Sequence, residues 1–309
     1  MSLFSRFSRR DDAPNELSKE QPPEESATPS QAVMGLAQEE PASIVRLENA
    51  RTLYTGCPLC GSERFHLAFR GDCQKHAMYK PQLPNIMNWM ECDDCQHMFI
   101  DGPFTEEALG ILFSDTLETQ KMGFDMHKNR SVSSRMIDKV LMVTKAQGYW
   151  LDIGFGNGSL VMTAAEYGFD AVGVDLRKDN VEKLRRLGLE AHDQDIMTFD
   201  SSHDGRYSVV SMADVLEHMP YPKQVLEKVH SMMKPDGVLL VSLPNKDSIL
   251  WNVMTSNGLN SYLAEIEHYH NFGRKRLYAL LEETGFEPLR YSVSERYIVG
   301  MEVLARKKA

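Results

Sequence analysis

The sequence predicts an α/β protein with a doubly wound sheet, preceded by a small cysteine-rich module. Three observations predict this fold class. Apolar segments alternate with helical segments from Tyr149 onward, a glycine-rich loop follows the first apolar segment, and all five cysteines lie upstream, between Cys57 and Cys95. Alternation of strands and helices is typical of a parallel sheet covered by helices on both faces.

Composition narrows the class of protein. The chain has 309 residues, is 42% hydrophobic and 25% charged, and carries a formal net charge of -10. An acidic chain repels nucleic-acid phosphates, so we expect no nucleic-acid partner. No apolar stretch reaches the length of a membrane span, so stable membrane insertion is not expected. Phe4 and Phe7 lie among arginines, which indicates either a disordered tip or a weak membrane-surface anchor.

Four segments follow one another along the chain. Residues 1–50 are rich in Pro, Glu and Ser without apolar periodicity, which predicts a disordered acidic tail. Residues 51–102 hold the cysteines, and residues 103–146 are predicted to form a helical connector or lid. Residues 147–309 are predicted to form the larger, cofactor-binding domain.

The larger domain should contain alternating strands and helices and end in two strands. The predicted strands are Tyr149–Ile153, Ala171–Asp175, Tyr207–Ala213, Gly237–Leu243, Phe286–Val293 and Tyr297–Arg306. The predicted helices are Thr105–Phe113 and Ser131–Ala146 in the connector, then Ser159–Tyr167, Asp179–Leu187, Pro222–Met233 and Arg274–Thr284. Continuous apolar strands such as the fourth of these fit the buried centre of a parallel sheet.

A glycine-rich loop with glycines at 154, 156 and 158 joins the first strand to a helix. Glycine permits positive φ and a close approach of the backbone to a ligand, and the helix N-terminus offers free N–H groups. The spacing is GxGxG rather than GxGxxG, which disfavours an oxidoreductase that binds a dinucleotide. Asp175 ends the second strand, where a carboxylate can accept hydrogen bonds from both ribose hydroxyls or can cap the next helix.

These motifs resemble motif I and the acidic motif of class I methyltransferases that depend on S-adenosylmethionine (SAM). The family has a hydrophobic-acidic-hydrophobic triplet before GxGxG, matched here by Leu151–Ile153, whereas Phe155 stands where the family often has Cys. The segments His192–Ile196, Ser211–His218 and Lys234–Gly237 also agree with the family. The resemblance covers about residues 130–309 and implies a Rossmann-like, seven-stranded sheet with SAM as cofactor.

The resemblance also implies roles for individual residues. Asp152, Gly154 and Gly156 would hold the amino-acid end of SAM and Asp175 the ribose, while Asp195 would hold the adenine or be a plain loop residue. The other positions expected to line the cofactor site are Phe155, Asn157, Gly158, Leu176, Ile196, Ala213 and Asp214.

Two CxxC pairs predict a structural Zn²⁺ site. Four thiolates fill a tetrahedral zinc site and leave no position open for substrate. CxxC pairs without a secretion signal also indicate a reducing, cytoplasmic location. The predicted ligands are Cys57, Cys60, Cys92 and Cys95, with His66 and His76 as alternative ligands and Cys73 as a small core residue. A zinc ribbon before a SAM domain resembles the deoxysugar C-methyltransferases and related enzymes of surface-polysaccharide and natural-product pathways.

Two Glu-His pairs are candidates for acid–base chemistry. Glu217 and His218 follow the strand expected beside the methyl group, and a scaffold role is the alternative. Glu267 and His268 resemble the Glu-His segment of the sugar C-methyltransferases, and a solvated loop is the alternative. Methyl transfer needs mainly alignment of the reactants, and a histidine can accept the proton of a hydroxyl or an acidic C–H.

The leading hypothesis is a SAM-dependent methyltransferase with a small, hydroxylated or sugar-like acceptor. One alternative is methylation of a macromolecule recognised through the zinc module, and another is a SAM-fold protein that binds a ligand without turnover. Trp251, Tyr269 and Phe272 are expected either to wall the acceptor pocket or to fill the core. A homodimer is compatible with the sequence.

Overall fold

The computed structural model describes residues 46–308 except residues 146, 201 and 203. Most of the predicted tail, including Phe4 and Phe7, lies outside the described residues. The described residues belong to one compact unit. Among their helices, none is both long enough and apolar enough to cross a membrane.

Strands and helices alternate along most of the described chain. The strands are β1 Phe65–Asp72, β2 Ile86–Cys92, β3 Met98–Ile100, β4 Tyr149–Ile153, β5 Asp170–Val174, β6 Glu190–His192, β7 Tyr207–Ala213, β8 Met233–Pro244, β9 His270–Asn271, β10 Phe286–Val293 and β11 Gly300–Lys307. The helices are α1 Glu106–Leu112, α2 Met126–Leu141, α3 Ser159–Glu166, α4 Lys178–Arg186, α5 Pro222–Met232, α6 Ile249–Ser256 and α7 Arg274–Glu283.

The main sheet has seven strands in the order β10-β11-β8-β7-β4-β5-β6. Strands β4 to β8 pair in parallel, whereas β11 is antiparallel to both β8 and β10. The order reverses between β4 and β7, and the loops that leave β4, β5 and β7 meet at the carboxyl edge of the sheet. This arrangement confirms the predicted α/β fold with a doubly wound, seven-stranded sheet. Ligands bind at such a reversal of strand order in open α/β sheets.

Helices cover both faces of the main sheet. Strand β7 is buried at all of its positions, because neither face reaches solvent. Helices α2 and α3 contribute Met136, Val140 and Leu160 to the core on one face. Helices α5 and α7 contribute Leu226 and Leu280 to the core on the other.

A second, smaller sheet has four antiparallel strands in the order β1-β2-β3-β9. Its first three strands come from the cysteine-rich module, but β9 comes from a segment about 170 residues later in the chain (270 − 100 = 170). Phe99 pairs with His270 and Met98 with Asn271. The predicted segment Glu267–Phe272 therefore supplies the last strand of the cysteine module's own sheet.

Several elements differ from their predicted bounds. Helix α2 begins at Met126 rather than Ser131 and ends at Leu141, so the chain has left the helix before residue 146. Strand β11 begins at Gly300 rather than Tyr297, because residues 294–299 form a loop. Helix α6 is absent from the predicted elements. Apolar residues such as Ile249, which is 83% exposed, lie on its exposed side and obscure the helical periodicity.

Candidate active site and cysteine cluster

The glycine-rich loop lies between β4 and α3, and all three of its glycines have positive φ, of 66°, 53° and 81°. A side chain at Gly154 would place its Cβ 2.7 Å from Cγ2 of Val215, in the loop after β7. At Gly158 a Cβ would collide with the sulfur of Met122. Glycine at these positions therefore allows two other segments to close around the loop.

Asp175 lies at the carboxyl end of β5 beside this loop, and its side chain is fully buried. Its Oδ2 accepts a hydrogen bond from the N–H of Gly156 at 2.9 Å. Its Oδ1 accepts from the N–H of Arg177 at 2.9 Å, and the Arg177 guanidinium lies 3.2 Å away. Arg177 occupies the N-cap position of helix α4 without a side-chain capping bond, so Asp175 is not the N-cap residue. The carboxylate joins the glycine loop to the segment that begins helix α4.

The connector packs over the glycine loop. Asn180 is 2% exposed, and its Nδ2 donates to the carbonyls of Gln120 and Gly156, each at 2.9 Å. Its Oδ1 accepts from the N–H of Met122 at 3.0 Å, and the N–H of Gly123 donates to the carbonyl of residue 157 at 3.0 Å. These lid contacts were missed by sequence reasoning, because no local pattern links a loop near 120 to a helix near 180.

Asp152 lies in β4, the neighbour of β5 toward the centre of the sheet, and is 2% exposed. Burial raises the pKa of its carboxyl to about 7, although a hydrogen bond from Ser211 favours the charged form. The Ser211 hydroxyl donates to Asp152 Oδ1 at 2.6 Å and accepts from Trp150 Nε1 at 2.8 Å. A predicted cofactor residue is thereby held by a buried hydrogen-bond chain.

The remaining predicted cofactor residues lie along the same edge of the sheet. Asp195 is exposed, and its Oδ1 accepts from Met197 N at 2.8 Å, so it caps the short turn that begins at Ile196. Leu176 is 69% exposed beside Asp175. Their roles toward a cofactor stay predictions. The other positions are Phe155 and Ala213, which are buried, and Asn157, whose Oδ1 accepts from the N–H of Ser159 at 3.1 Å.

The two predicted Glu-His pairs, which are 50 residues apart in sequence (267 − 217 = 50), meet in space. The rings of His218 and His268 lie edge to face with centroids 4.7 Å apart. A carboxylate oxygen of Glu217 and one ring nitrogen each of His218 and His268 lie within 4.8 Å of one another. Glu267 contributes its backbone, because its carbonyl oxygen lies 2.9 Å from His218 Nδ1.

This contact fixes the tautomer of His218. A carbonyl oxygen only accepts, so Nδ1 carries the hydrogen and donates it to Glu267. In the neutral ring Nε2 is then unprotonated and free to accept a proton. His218 is half-buried, whereas Glu217 beside it in the chain is buried.

Glu217 and His268, the other members of this cluster, are buried, and their pKa values are shifted. Burial raises the pKa of the Glu217 carboxyl well above its ordinary value, and the Asp214 carboxylate raises it further. Burial lowers the pKa of His268 well below its ordinary value, and His218 adds to the effect. Within the described residues, Glu217 Oε2 and His268 Nδ1 have no hydrogen-bond partner. Burial thus favours the uncharged form of both Glu217 and His268.

Asp214 and Arg296 form an ion pair beside this cluster, with Arg296 Nε 2.7 Å from Asp214 Oδ2. Asp214 has a positive φ of 59°, which turns the chain sharply at the end of β7. Arg296 comes from the loop between β10 and β11, and sequence reasoning missed it because that loop has no motif. Burial raises the pKa of Asp214, while the positive charge of Arg296 opposes this shift.

The three aromatic residues considered for the acceptor pocket are mainly core residues. Phe272 is 0% exposed and packs in the main core. Tyr269 is 4% exposed and belongs to the core of the smaller sheet. Trp251 is 3% exposed and packs against Tyr262, with the two rings tilted by 32° and their centroids 5.6 Å apart.

The four predicted zinc ligands converge. The sulfurs of Cys57 and Cys95 are 3.6 Å apart, as are those of Cys60 and Cys92, and all four lie within 4.8 Å of one another. Zn–S bonds of about 2.3 Å in a tetrahedron put sulfurs about 3.8 Å apart, so the cluster fits the size of a zinc site.

The alternative ligands are placed elsewhere. His66 pairs with Asp93 at 2.7 Å, and His76 pairs with Glu265 at 2.8 Å. Cys73 is 0% exposed with its sulfur 3.2 Å from a backbone carbonyl, away from the cluster.

Comparison with known proteins adds three kinds of similarity. The profile of a methyltransferase domain family matches residues 126–291. Two relatives are ubiquinone biosynthesis O-methyltransferases. The protein of Pectobacterium atrosepticum is 29% identical over 107 residues, or 33% of this chain and 44% of the relative. The protein of Aliivibrio fischeri is 29% identical over 169 residues, or 50% of this chain and 72% of the relative. The chain thus spans less than half the length of the first of these relatives.

Solved structures share the fold. The 1,6-didemethyltoxoflavin-N1-methyltransferase of Burkholderia thailandensis, solved with 1,6-didemethyltoxoflavin and S-adenosylhomocysteine, has a TM-score of 0.51 and 19% identity, covering 70% of this chain and 98% of its own. The PH0226 protein of Pyrococcus horikoshii has a TM-score of 0.50 and 18% identity, covering 63% of this chain and 98% of its own.

Proposed function

Because this chain belongs to the methyltransferase domain family, we propose that it transfers the methyl group of SAM to a hydroxyl of a small acceptor. The observation that carries the proposal is the free Nε2 of His218. His218 follows Val215 by three residues, and the side chain of Val215 lies against Gly154 of the glycine loop. A proton acceptor and a cofactor loop are thus brought to the same edge of the sheet.

The described residues fit SAM. The glycine loop and the buried Asp152 would hold the amino-acid end of the cofactor, and Asp175 would accept hydrogen bonds from the ribose hydroxyls. In the structure the two oxygens of Asp175 accept the N–H groups of Gly156 and Arg177 and lie beside the Arg177 guanidinium, which the ribose hydroxyls would displace. Asp195 is proposed to lie near the adenine. Bound SAM supplies an electrophilic methyl carbon on a positively charged sulfur.

Residues of the chain would then accept the proton that the acceptor hydroxyl loses. The carbonyl of Glu267 orients His218, so that Nε2 accepts the hydrogen that the hydroxyl loses when its oxygen bonds to carbon. Glu217 and His268, whose uncharged forms are favoured by burial, are proposed to flank His218 beside the acceptor. This division of roles supports a hydroxylated acceptor, and the ubiquinone O-methyltransferase relatives are consistent with that class.

The cysteine cluster is proposed to hold one structural Zn²⁺. Its four sulfurs have the separations that a tetrahedral site requires, and four thiolates would leave no coordination position for the acceptor. The ion would stabilise the smaller sheet rather than take part in methyl transfer.

Calorimetry with SAM and S-adenosylhomocysteine, followed by turnover on a panel of hydroxylated compounds, tests the proposal. His218→Gln should lower kcat by about 10²- to 10⁴-fold, the usual contribution of a general base, and leave S-adenosylhomocysteine affinity within twofold. His127→Gln, on the exposed side of α2, is the matched control and should behave as wild type. Absence of binding of either cofactor form would contradict the proposed activity, and full turnover by His218→Gln would remove the base.

A further inference from the structure

We propose that the cysteine module positions the catalytic segment of the active site. We define the active-site loop as residues 214–220, which carry Asp214, Glu217 and His218. The inference rests on the proposed function and deepens it. Without the bridges from the module, Glu217 and His218 should lose their catalytic geometry, while the glycine loop and Asp175 stay in place.

The first bridge is made by the backbone of one residue. Ile100 N, at the end of β3, donates to the carbonyl of Tyr269 at 2.9 Å, and Tyr269 N donates to the carbonyl of Glu217 at 2.9 Å. Tyr269 thus joins the module's sheet on one side to the active-site loop on the other. A shift of β3 must move Glu217 or break one of these two bonds.

The second bridge is a pair of buried imidazoles. His270 Nε2 lies 2.9 Å from the carbonyl of Met219, so Nε2 carries the hydrogen and Nδ1 accepts. His97 Nε2 lies 2.9 Å from His270 Nδ1 and therefore donates to it. Both histidines are 0% exposed. The carbonyl of His97 accepts from the N–H of Cys92, one of the four clustered cysteines, at 3.0 Å.

The third bridge starts three residues before Cys57. The hydroxyl of Tyr54 donates to the carbonyl of Pro220 at 2.7 Å. Its ring packs edge to face on Phe99 and on Tyr221, with centroids 5.9 Å apart in each case. The bridges therefore reach three carbonyls of one loop, at residues 217, 219 and 220.

The three bridges have a chemical consequence because methyl transfer depends mainly on alignment. A misplacement of about 1 Å at a catalytic group can cost about 100-fold in rate. The cysteine cluster contacts the imidazole bridge directly, because the N–H of Cys92 donates to the carbonyl of His97. Tyr54 lies three residues before Cys57 and packs on Phe99 of β3, so the other two bridges start from the same module. Occupancy of the cluster by a metal should therefore control turnover from outside the acceptor site.

Three substitutions in the full chain test the inference. His270→Phe removes the imidazole bridge and should lower kcat at least tenfold, while S-adenosylhomocysteine affinity stays within twofold. His270→Gln places an amide N–H near the position of Nε2 and should recover most of the loss. Tyr54→Phe should lower kcat about threefold. Tyr278→Phe, whose ring packs near Arg274 and takes part in none of the bridges, is the control and should match wild type.

Hydrogen exchange of the backbone amides at 214–219 provides a second readout that does not require turnover. Exchange should accelerate in His270→Phe and on removal of the metal with a chelator, and it should return to the wild-type rate when Zn²⁺ alone is added back. If no acceptor is ever methylated, the proposed function fails but this measurement still decides the inference. Unchanged exchange in both the variant and the metal-free protein would overturn it, as would a loss of cofactor binding equal to the loss of kcat.

Discussion

Replacement of Asp175 by alanine should weaken SAM binding about 100-fold. The carboxylate would accept hydrogen bonds from both ribose hydroxyls. A hydrogen bond to a charged group contributes about 1.5 to 3 kcal/mol to binding. Loss of two such bonds costs at least about 3 kcal/mol, and about 1.4 kcal/mol corresponds to a factor of ten in Kd. The same change also releases Gly156 N–H, which adds to the loss by loosening the glycine loop.

Two further variants provide an intermediate case and a control for the change in affinity. Asp175→Asn keeps one acceptor oxygen and should weaken binding about tenfold, since one of two charge-assisted bonds is lost. Asp170→Ala, at the opposite and exposed end of the same strand, should leave affinity unchanged. Isothermal titration with S-adenosylhomocysteine measures all three, with circular dichroism to verify folding.

The result that would refute the reasoning is specific. If folded Asp175→Ala binds S-adenosylhomocysteine within threefold of wild type, the carboxylate does not contact the cofactor. Its role would then be limited to bridging Gly156 and Arg177, the contacts it makes already.

Two other predictions concern pH and metal. The pKa of Asp152 is raised to about 7 from 3.8, so the folded state binds this proton more tightly and stability should fall as pH rises between these values. Urea unfolding should therefore show a shallower loss of stability from pH 5 to pH 7 in Asp152→Asn than in wild type, and equal slopes would contradict the assignment. Metal analysis should find about one zinc per chain, sharply reduced in Cys60→Ser and unchanged in Cys73→Ser. A well-folded, zinc-free wild-type protein would exclude the metal site.

The sequence predicted those features of the site that local spacing encodes. The glycine loop, Asp175 and the cysteine pairs each lie within a few residues of a strand end or turn, so a short pattern identifies them. Strand β7 was predicted with the bounds that it has, because its mostly apolar run is interrupted only by Ser208 and Ser211. The large sheet followed from the alternation of such runs.

The features that could not be predicted depend on contacts between distant segments. Strand β9 has only two residues, too few for any periodicity, yet it joins His268 to the smaller sheet. Arg296 lies in a loop without a motif and reaches Asp214 only in the folded chain. The Glu-His pairs were each recognised, but their meeting was visible only in three dimensions.

Strand β9 also has a consequence for synthesis on the ribosome. The cysteine module is translated first, but its fourth strand follows about 170 residues later (270 − 100 = 170). At about 5 to 20 residues per second, the outer edge of β3 waits roughly 10 to 30 s for its partner. Unpaired strand edges are templates for pairing with other chains. During synthesis the edge of β3 is therefore unpaired. In the completed chain β9 pairs with this edge, and the same segment places His268 beside the active-site loop.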